Sequence, residues 1–390
     1  MQAARRLTRL PPFLFQETRC RVQEARDRGV DVISLGVGDP DQPTPPHVVD
    51  ALLAAATDPA NHTYPAGGVR GLQRFRDAVA GWYASRFGVT VDPESEVMAL
   101  IGSKEGNHHL AMGVLDPGDT AIVPDPAYPS YVASATVAGA DVVRVPLRPE
   151  NDFLLDFDEI MPLAARTKLL WLSYPNNPTT AVAPLRFFER AVDFAREHDV
   201  WLVHDNPYSE IAFDGVRPHS ILEVPAAREV AVEFNSLSKT YNMAGWRIGM
   251  AVGNTTLIEA MAQVKETTDS GPFTAIQHAG VAALEGSQDV LERMIAAYQG
   301  RRDMAVDMLR AADLPVTPPA GTFYIWLPSP PGVPGVEFAS RLLELAGVVV
   351  TAGAGYGDQG RGYVRLSLSV DDVRLKEALE RIAEVQHRLS

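Results

Sequence analysis

Short apolar, β-branched runs alternate with longer stretches whose apolar residues return every three or four positions, and the alternation persists from about residue 97 to residue 252. The short runs predict strands at Val97–Ile101, Thr120–Val123, Asp141–Val145, Leu169–Leu172, Val200–Val203, Val230–Phe234 and Ile248–Val252. Helical periods fall between several of them, at Glu105–Leu115, Pro129–Ala138, Asp158–Ala165 and Leu185–His198. This alternation implies an α/β fold built on a mostly parallel, seven-stranded sheet covered on both faces. Such a sheet presents ligands with the carboxyl ends of its strands, so the chemistry is sought in the segments that follow them.

Outside this region the pattern changes. The chain reads as loop up to about residue 45, then as helix at Val48–Ala56 and Leu72–Arg86. Beyond residue 254 a long helical stretch, Val290–Ala312, precedes strand-like runs at Thr322–Leu327, Val348–Val350 and Tyr363–Leu368, and a last helix at Asp371–His387. The proline-rich run Pro328–Pro334 reads as a loop among them. A length of 390 residues exceeds a comfortable single core. The division expected is an N-terminal segment, 1–45, joining a small α+β domain, 286–390, beside a large domain, 46–285.

Charge narrows the function classes. Thirty-five basic against forty-nine acidic residues give a net charge of −14, which disfavours nucleic acid or an anionic membrane as partner. Any anion bound here must be held by a local basic site. Cys20 is the sole cysteine, which excludes an intrachain disulfide and a cysteine-based metal cluster and fits a reducing cytoplasm. No apolar run approaches the roughly 18 residues of a membrane span.

The run Ser236-Leu237-Ser238-Lys239-Thr240-Tyr241-Asn242-Met243-Ala244-Gly245-Trp246-Arg247 sets a lone lysine between hydroxyls, with an arginine eight residues on. An amine can condense with an aldehyde, while Ser236, Ser238 and Arg247 offer hydroxyl and guanidinium donors to a phosphate dianion. The cofactor that carries both groups is pyridoxal 5'-phosphate (PLP). Gly102-Ser103-Lys104-Glu105-Gly106 lies between a predicted strand and a predicted helix, where backbone amides point at an anion.

With Tyr174-Pro175-Asn176-Asn177-Pro178-Thr179, His204-Asp205-Asn206-Pro207-Tyr208, Asp125-Pro126-Ala127-Tyr128-Pro129 and Tyr363-Val364-Arg365-Leu366-Ser367, these motifs run in a fixed order over most of the chain. From about residue 11 to its C-terminus the sequence resembles the fold-type I, PLP-dependent aminotransferases of class I/II. The resemblance implies the following roles. Lys239 is the Schiff-base lysine, and the Ser103 and Lys104 amides form a phosphate cup walled by Arg247. Tyr128 stacks on the pyridine ring, Asn177 and Tyr208 bond its phenolic oxygen, and Asp205 keeps its nitrogen protonated. Arg365 grips the substrate α-carboxylate with help from Asn177 and from the Gly36 backbone, and Tyr64 reaches the neighbouring subunit's phosphate, so a homodimer is implied. Transamination between an L-amino acid and a 2-oxo acid follows, with the released lysine amine as the base.

Within the family, the runs Gly38–Pro45, His204–Gly215 and Asp269–Phe273 resemble the LL-diaminopimelate aminotransferase branch, with alanine aminotransferases close by. Three positions depart from the diaminopimelate pattern: Phe13 for tyrosine, Thr180 for the glycine after Asn-Pro-Thr, and Arg70 where an acidic residue is usual. Arg70 is therefore expected to project toward the neighbour's substrate entrance and read a distal carboxylate. Amino acid:2-oxoglutarate transamination is the leading expectation, with diaminopimelate, alanine or aspartate as donor. Another PLP reaction, such as β-elimination or decarboxylation, would release pyruvate plus ammonia or carbon dioxide. A PLP-binding regulator would need an added basic helix-turn-helix, and none is present. Two other motifs weigh little. Gly353-Ala354-Gly355-Tyr356-Gly357 lacks dinucleotide-loop spacing. His108 and His109, adjacent on a helix, point about 100° apart and cannot easily share one metal.

Overall fold

The computed structural model describes residues 4–10, 14–65 and 67–388. Its largest sheet has seven strands in the order Val97–Leu100, Gly249–Gly253, Ala231–Ser236, Trp201–Asp205, Thr167–Leu172, Thr120–Asp125, Asp141–Pro146. All run parallel except Gly249–Gly253, which is antiparallel to both of its neighbours. Four of these strands are buried at every position, which is why they appear in the sequence as continuous apolar runs rather than as an alternation. Side chains nonetheless divide by parity: Leu170 and Leu172 pack with Phe75 and Leu202 on one face, Leu169 and Trp171 with Val203 and Phe234 on the other.

A separate apolar cluster joins Tyr298, Phe323, Ile325, Phe338, Leu366 and Leu379 with Ile33 and Leu35 from near the N-terminus. It surrounds a three-stranded antiparallel sheet, Thr351–Ala352, Tyr363–Ser367 and Tyr324–Pro328. Ile33–Ser34 pairs with Val348–Val349 in parallel, which binds the N-terminal segment to this part of the molecule.

Two expectations need correcting. The N-terminal segment is not a loop, because Leu14–Asp27 is an α-helix. Among its described side chains, Val22 and Ala25 pack inward, against Leu343 and Val349, and inward contacts so few do not register as a period. Asp158–Ala165 is not one helix: an α-helix ends at Ile160 and a 3-10 segment, Met161–Arg166, takes over. Pro162 has no N–H to donate, and its ring would crowd the carbonyl four residues back. Strands do resume after the proline-rich run, at Val348–Val349 and Tyr363–Ser367, and an unassigned helix, Gly335–Ala346, lies before them. Pro334 precedes it and Gly347, at φ 66°, ends it. Two further helices, Thr255–Thr268 and Thr274–Glu285, pack beside the large sheet. Among the described residues no helix is long and apolar enough to cross a membrane.

Candidate active site

The parallel strands end at a cavity of about 1050 Å³. Ser103, Lys104, Tyr128, Asn177, Asp205, Tyr208, Ser236, Ser238, Lys239 and Arg247 line it from the large sheet, and Gly36, Tyr324 and Arg365 from the opposite side. From Ser103 to Lys239, the residues on the large-sheet side converge because each follows, or ends, one of its parallel strands, whereas Arg247 enters just ahead of the antiparallel strand Gly249–Gly253. Phe13 lies outside the described residues.

Lys239 sits in a one-turn helix, Leu237–Thr240, directly after the strand Ala231–Ser236. The Ser236 hydroxyl caps that turn by accepting from the Ser238 amide at 3.2 Å. The lysine ammonium donates to the Gly38 carbonyl at 2.7 Å. Gly38 must lack a side chain here, since a Cβ would lie 1.9 Å from the Tyr324 hydroxyl. Burial pulls the Lys239 pKa down to about 8; the Arg365 and Arg247 charges add to that, and Asp39 opposes it. Below pH 8 the amine is mostly protonated and cannot attack a carbonyl. The rate at which the cofactor-free protein captures an aldehyde should therefore rise with pH and level off above about 8, rather than near the 10.5 of an ordinary lysine. A stopped-flow pH series on the apoprotein measures that midpoint.

Asp205 closes the strand Trp201–Asp205 and is buried. One carboxylate oxygen accepts from the Tyr131 hydroxyl at 2.8 Å and from the Asn107 amide at 3.1 Å. Asn107 is held in that sense by Trp171, whose indole N–H, a donor only, bonds the Asn107 oxygen at 2.8 Å. The other Asp205 oxygen, Oδ1, is buried with no partner. Burial raises the Asp205 pKa, against the pull of Tyr131 and Asn107. A protonated ring nitrogen at Oδ1 would supply the missing donor and the missing positive charge together.

Arg365 is buried on the strand Tyr363–Ser367. Its guanidinium donates to Asn177 Oδ1 and to the Gly36 carbonyl, each at 2.9 Å, and lies 4.0 Å from the centre of the Tyr324 ring. Its Nε is buried without a partner, and it has no ion pair with a carboxylate among the described residues. A buried cation so arranged is completed by a carboxylate that enters the cavity.

At the other end, the helix Ser103–Val114 opens at Gly102, whose φ of 79° suits glycine. A Cβ on Gly102 would fall 2.3 Å from Nη2 of Arg247, so the arginine lies directly over the turn. Arg247 donates to the Ala244 carbonyl at 2.8 Å and has no carboxylate partner among the described residues. Free helix amides, two serines and an arginine fit a phosphate dianion. Together with the orphaned Oδ1 and the low-pKa lysine, they fit PLP.

Tyr64 and Arg70 do not line this cavity. Tyr64 is 87% exposed in the single chain. Arg70 is already committed within its own chain: it meets Glu259 at 2.5 Å and donates to the Glu94 and Ser95 carbonyls. The structure thus supplies a local partner for the charge that the sequence suggested as a reader of distal carboxylates. Arg70→Ala should accordingly leave the KM ratio of glutamate to alanine unchanged, which a steady-state substrate panel measures. Tyr324, whose hydroxyl meets that of Tyr208 at 2.9 Å, and the group Asn107, Tyr131 and Trp171 behind Asp205 were not anticipated. Asn107 alone had a sequence signal, one helical turn beyond Ser103 on the same face.

The profile of the aminotransferase class I and II family matches residues 30–382. The chain is 52% identical to an LL-diaminopimelate aminotransferase of Dehalococcoides mccartyi over 384 residues, 98% of each chain. It is 49% identical to an LL-diaminopimelate aminotransferase of Moorella thermoacetica over 386 residues, 99% of this chain and 98% of that one. Among solved structures it superimposes on an aspartate aminotransferase mutant of Thermus thermophilus with a TM-score of 0.93 at 34% identity, over 99% of this chain and 100% of that one. The chain belongs to the class I and II aminotransferases, and it is a PLP-dependent transaminase.

Proposed function

We propose that this aminotransferase takes LL-diaminopimelate as amino donor and 2-oxoglutarate as acceptor, in a cytoplasmic pathway of amino-acid biosynthesis, and that it works as a homodimer. The observation that carries the transfer chemistry is the buried Arg365 with its unpartnered Nε, the place for a carboxylate shared by every amino acid and 2-oxo acid. The donor is supported by relatives of that name at 49–52% identity along nearly the whole chain. A cavity of about 1050 Å³ has room for a seven-carbon diamino diacid beside a cofactor. The basic residue at position 70 weighs nothing against this donor, because Glu259 already neutralises it.

Bound PLP supplies an electron sink for the negative charge left at the substrate's α-carbon. The chain's residues arrange the rest. Arg365 and Asn177 fix the α-carboxylate, which presents the α-carbon to Lys239. The Lys239 Nζ, with its pKa near 8, is neutral often enough at pH 7–8 to take the α-proton and return it. Asp205 would hold a proton on the ring nitrogen, Tyr208 and Asn177 would bond the phenolic oxygen, and Tyr128 would cover the ring. Ser103, Lys104, Ser236, Ser238 and Arg247 would hold the phosphate, and Tyr64 would extend to the partner subunit's phosphate.

The two-domain division, with boundaries near residues 45 and 285, belongs to the same reading, supported by the separate apolar cluster around the small sheet. A donor panel tests the substrate assignment: diaminopimelate with 2-oxoglutarate should give the largest kcat/KM, and a clear preference for alanine or aspartate overturns it. Arg365→Lys should lower kcat/KM for every donor and acceptor by about 10- to 100-fold, the loss of a bidentate charged hydrogen bond. Sedimentation of the holoenzyme tests the dimer.

A further inference from the structure

We propose that Lys265 is the counter-ion that allows the phosphate-binding helix to keep a carboxylate in its first turn, and that it is thereby a positioning residue for the cofactor phosphate. The inference rests on the reading that the phosphate sits at the Gly102–Lys104 turn under Arg247.

Glu105 is the third residue of the helix Ser103–Val114 and the acidic residue of its first turn. One of its oxygens accepts from the Ile101 backbone amide, which bends the strand exit into the turn carrying Gly102. The carboxylate thus shapes the cup. It also places a negative charge at the same positive helix end that a phosphate dianion needs, so the two anions compete for it. Lys265, fully buried on the helix Thr255–Thr268, donates to the other Glu105 oxygen at 2.7 Å and to Asp269 at 2.6 Å. Asp269 in turn accepts from the Gly271 amide at 2.9 Å.

His109 completes the cluster, its Nδ1 2.8 Å from Glu105 and its Nε2 3.7 Å from Asp269. Glu105, His109 and Asp269 lie close enough together to suggest a metal site. The Lys265 ammonium, however, already occupies the position between the two carboxylates. Its side chain is long enough to reach that point from a neighbouring helix, and its charge, which Asp269 shares, offsets part of the field of Glu105 without loosening the bond from Glu105 to Ile101. Glu105 keeps the turn's shape while Lys265 reduces its repulsion.

The test uses full-length apoprotein at pH 8, titrated by fluorescence with pyridoxamine 5'-phosphate and, separately, with pyridoxamine lacking the phosphate. Lys265→Met should weaken the phosphorylated ligand by at least about tenfold, the scale of one charged hydrogen bond, and should leave pyridoxamine nearly unchanged. The double variant E105Q/K265M, which removes both charges but keeps an acceptor for the Ile101 amide, should recover most of the loss. Glu105→Gln alone should bind the phosphorylated ligand as tightly as the parent or more tightly, and it serves as the deciding variant where K265M does not fold. The proposal is overturned if K265M weakens both ligands equally, if the double variant stays as weak as K265M, or if E105Q binds tenfold more weakly. Arg247→Ala tests the underlying reading separately: unchanged binding of the phosphorylated ligand would remove the phosphate from this turn, whatever the Lys265 variants show.

Discussion

Lys239→Ala is expected to abolish transamination while leaving a folded chain that still binds PLP without a covalent link. A missing general base alone costs roughly 10²–10⁴ in rate. The same amine is also the group that condenses with the cofactor aldehyde, so the loss should exceed that range. Binding should persist because the residues proposed to hold the phosphate, Ser103, Ser236, Ser238 and Arg247, and the proposed ring partner Asp205 still line the cavity. The fold should persist because the lysine's one hydrogen bond among the described residues is to the Gly38 carbonyl, and its removal takes a partly desolvated ammonium out of the interior. Treatment with borohydride, followed by mass measurement of the chain, checks it: the parent protein should retain the mass of the cofactor and the variant should not. Cofactor fixed to the variant would move the Schiff-base role to another lysine.

How much of this site could be read from the sequence depends on whether a residue's role is set locally. Lys239, Asp205 and Asn177 each stand within a few residues of a strand's carboxyl end, and the strands announce themselves as buried apolar runs. The helix Leu14–Asp27 escaped because its described inward contacts are few, so no local period marks it. Asn107, Tyr131 and Trp171 escaped for a different reason. They come from two helices and a strand and meet only through packing, Tyr131 stacking on Trp171 at 6.1 Å between ring centres. Arg70 shows the converse case, since a charge that is out of place in a motif has a partner within its own chain, Glu259, 189 residues away. Thr180, buried at φ 66° where the family resemblance implies glycine, holds a conformation that a β-branched residue seldom adopts. Nothing else in the structure explains why this chain departs from glycine there.

Asp205→Asn should reduce kcat by about 10²–10⁴, or about 2.7–5.5 kcal/mol of transition-state stabilisation, with little change in the fold. The argument turns on which way the new amide must face. Its two neighbours on the inner side are the Asn107 amide at 3.1 Å and the Tyr131 hydroxyl at 2.8 Å. Asn107 cannot turn over, because its own oxygen is engaged by the Trp171 indole, which can only donate. The substituted side chain must therefore set its oxygen inward, toward those donors, and its NH₂ outward, into the position of the unpartnered Oδ1. An NH₂ there can only donate, so it would favour a pyridine nitrogen without a proton and oppose the protonated ring that the parent carboxylate holds. The change is isosteric, which separates the electronic effect from packing. Nitrogen-15 NMR of the bound cofactor should report loss of the ring proton in the variant, in step with the fall in kcat. A protonated ring and an ordinary kcat together would reduce Asp205 to a buried strand end, and Tyr131 and Asn107 to its hydrogen-bond partners.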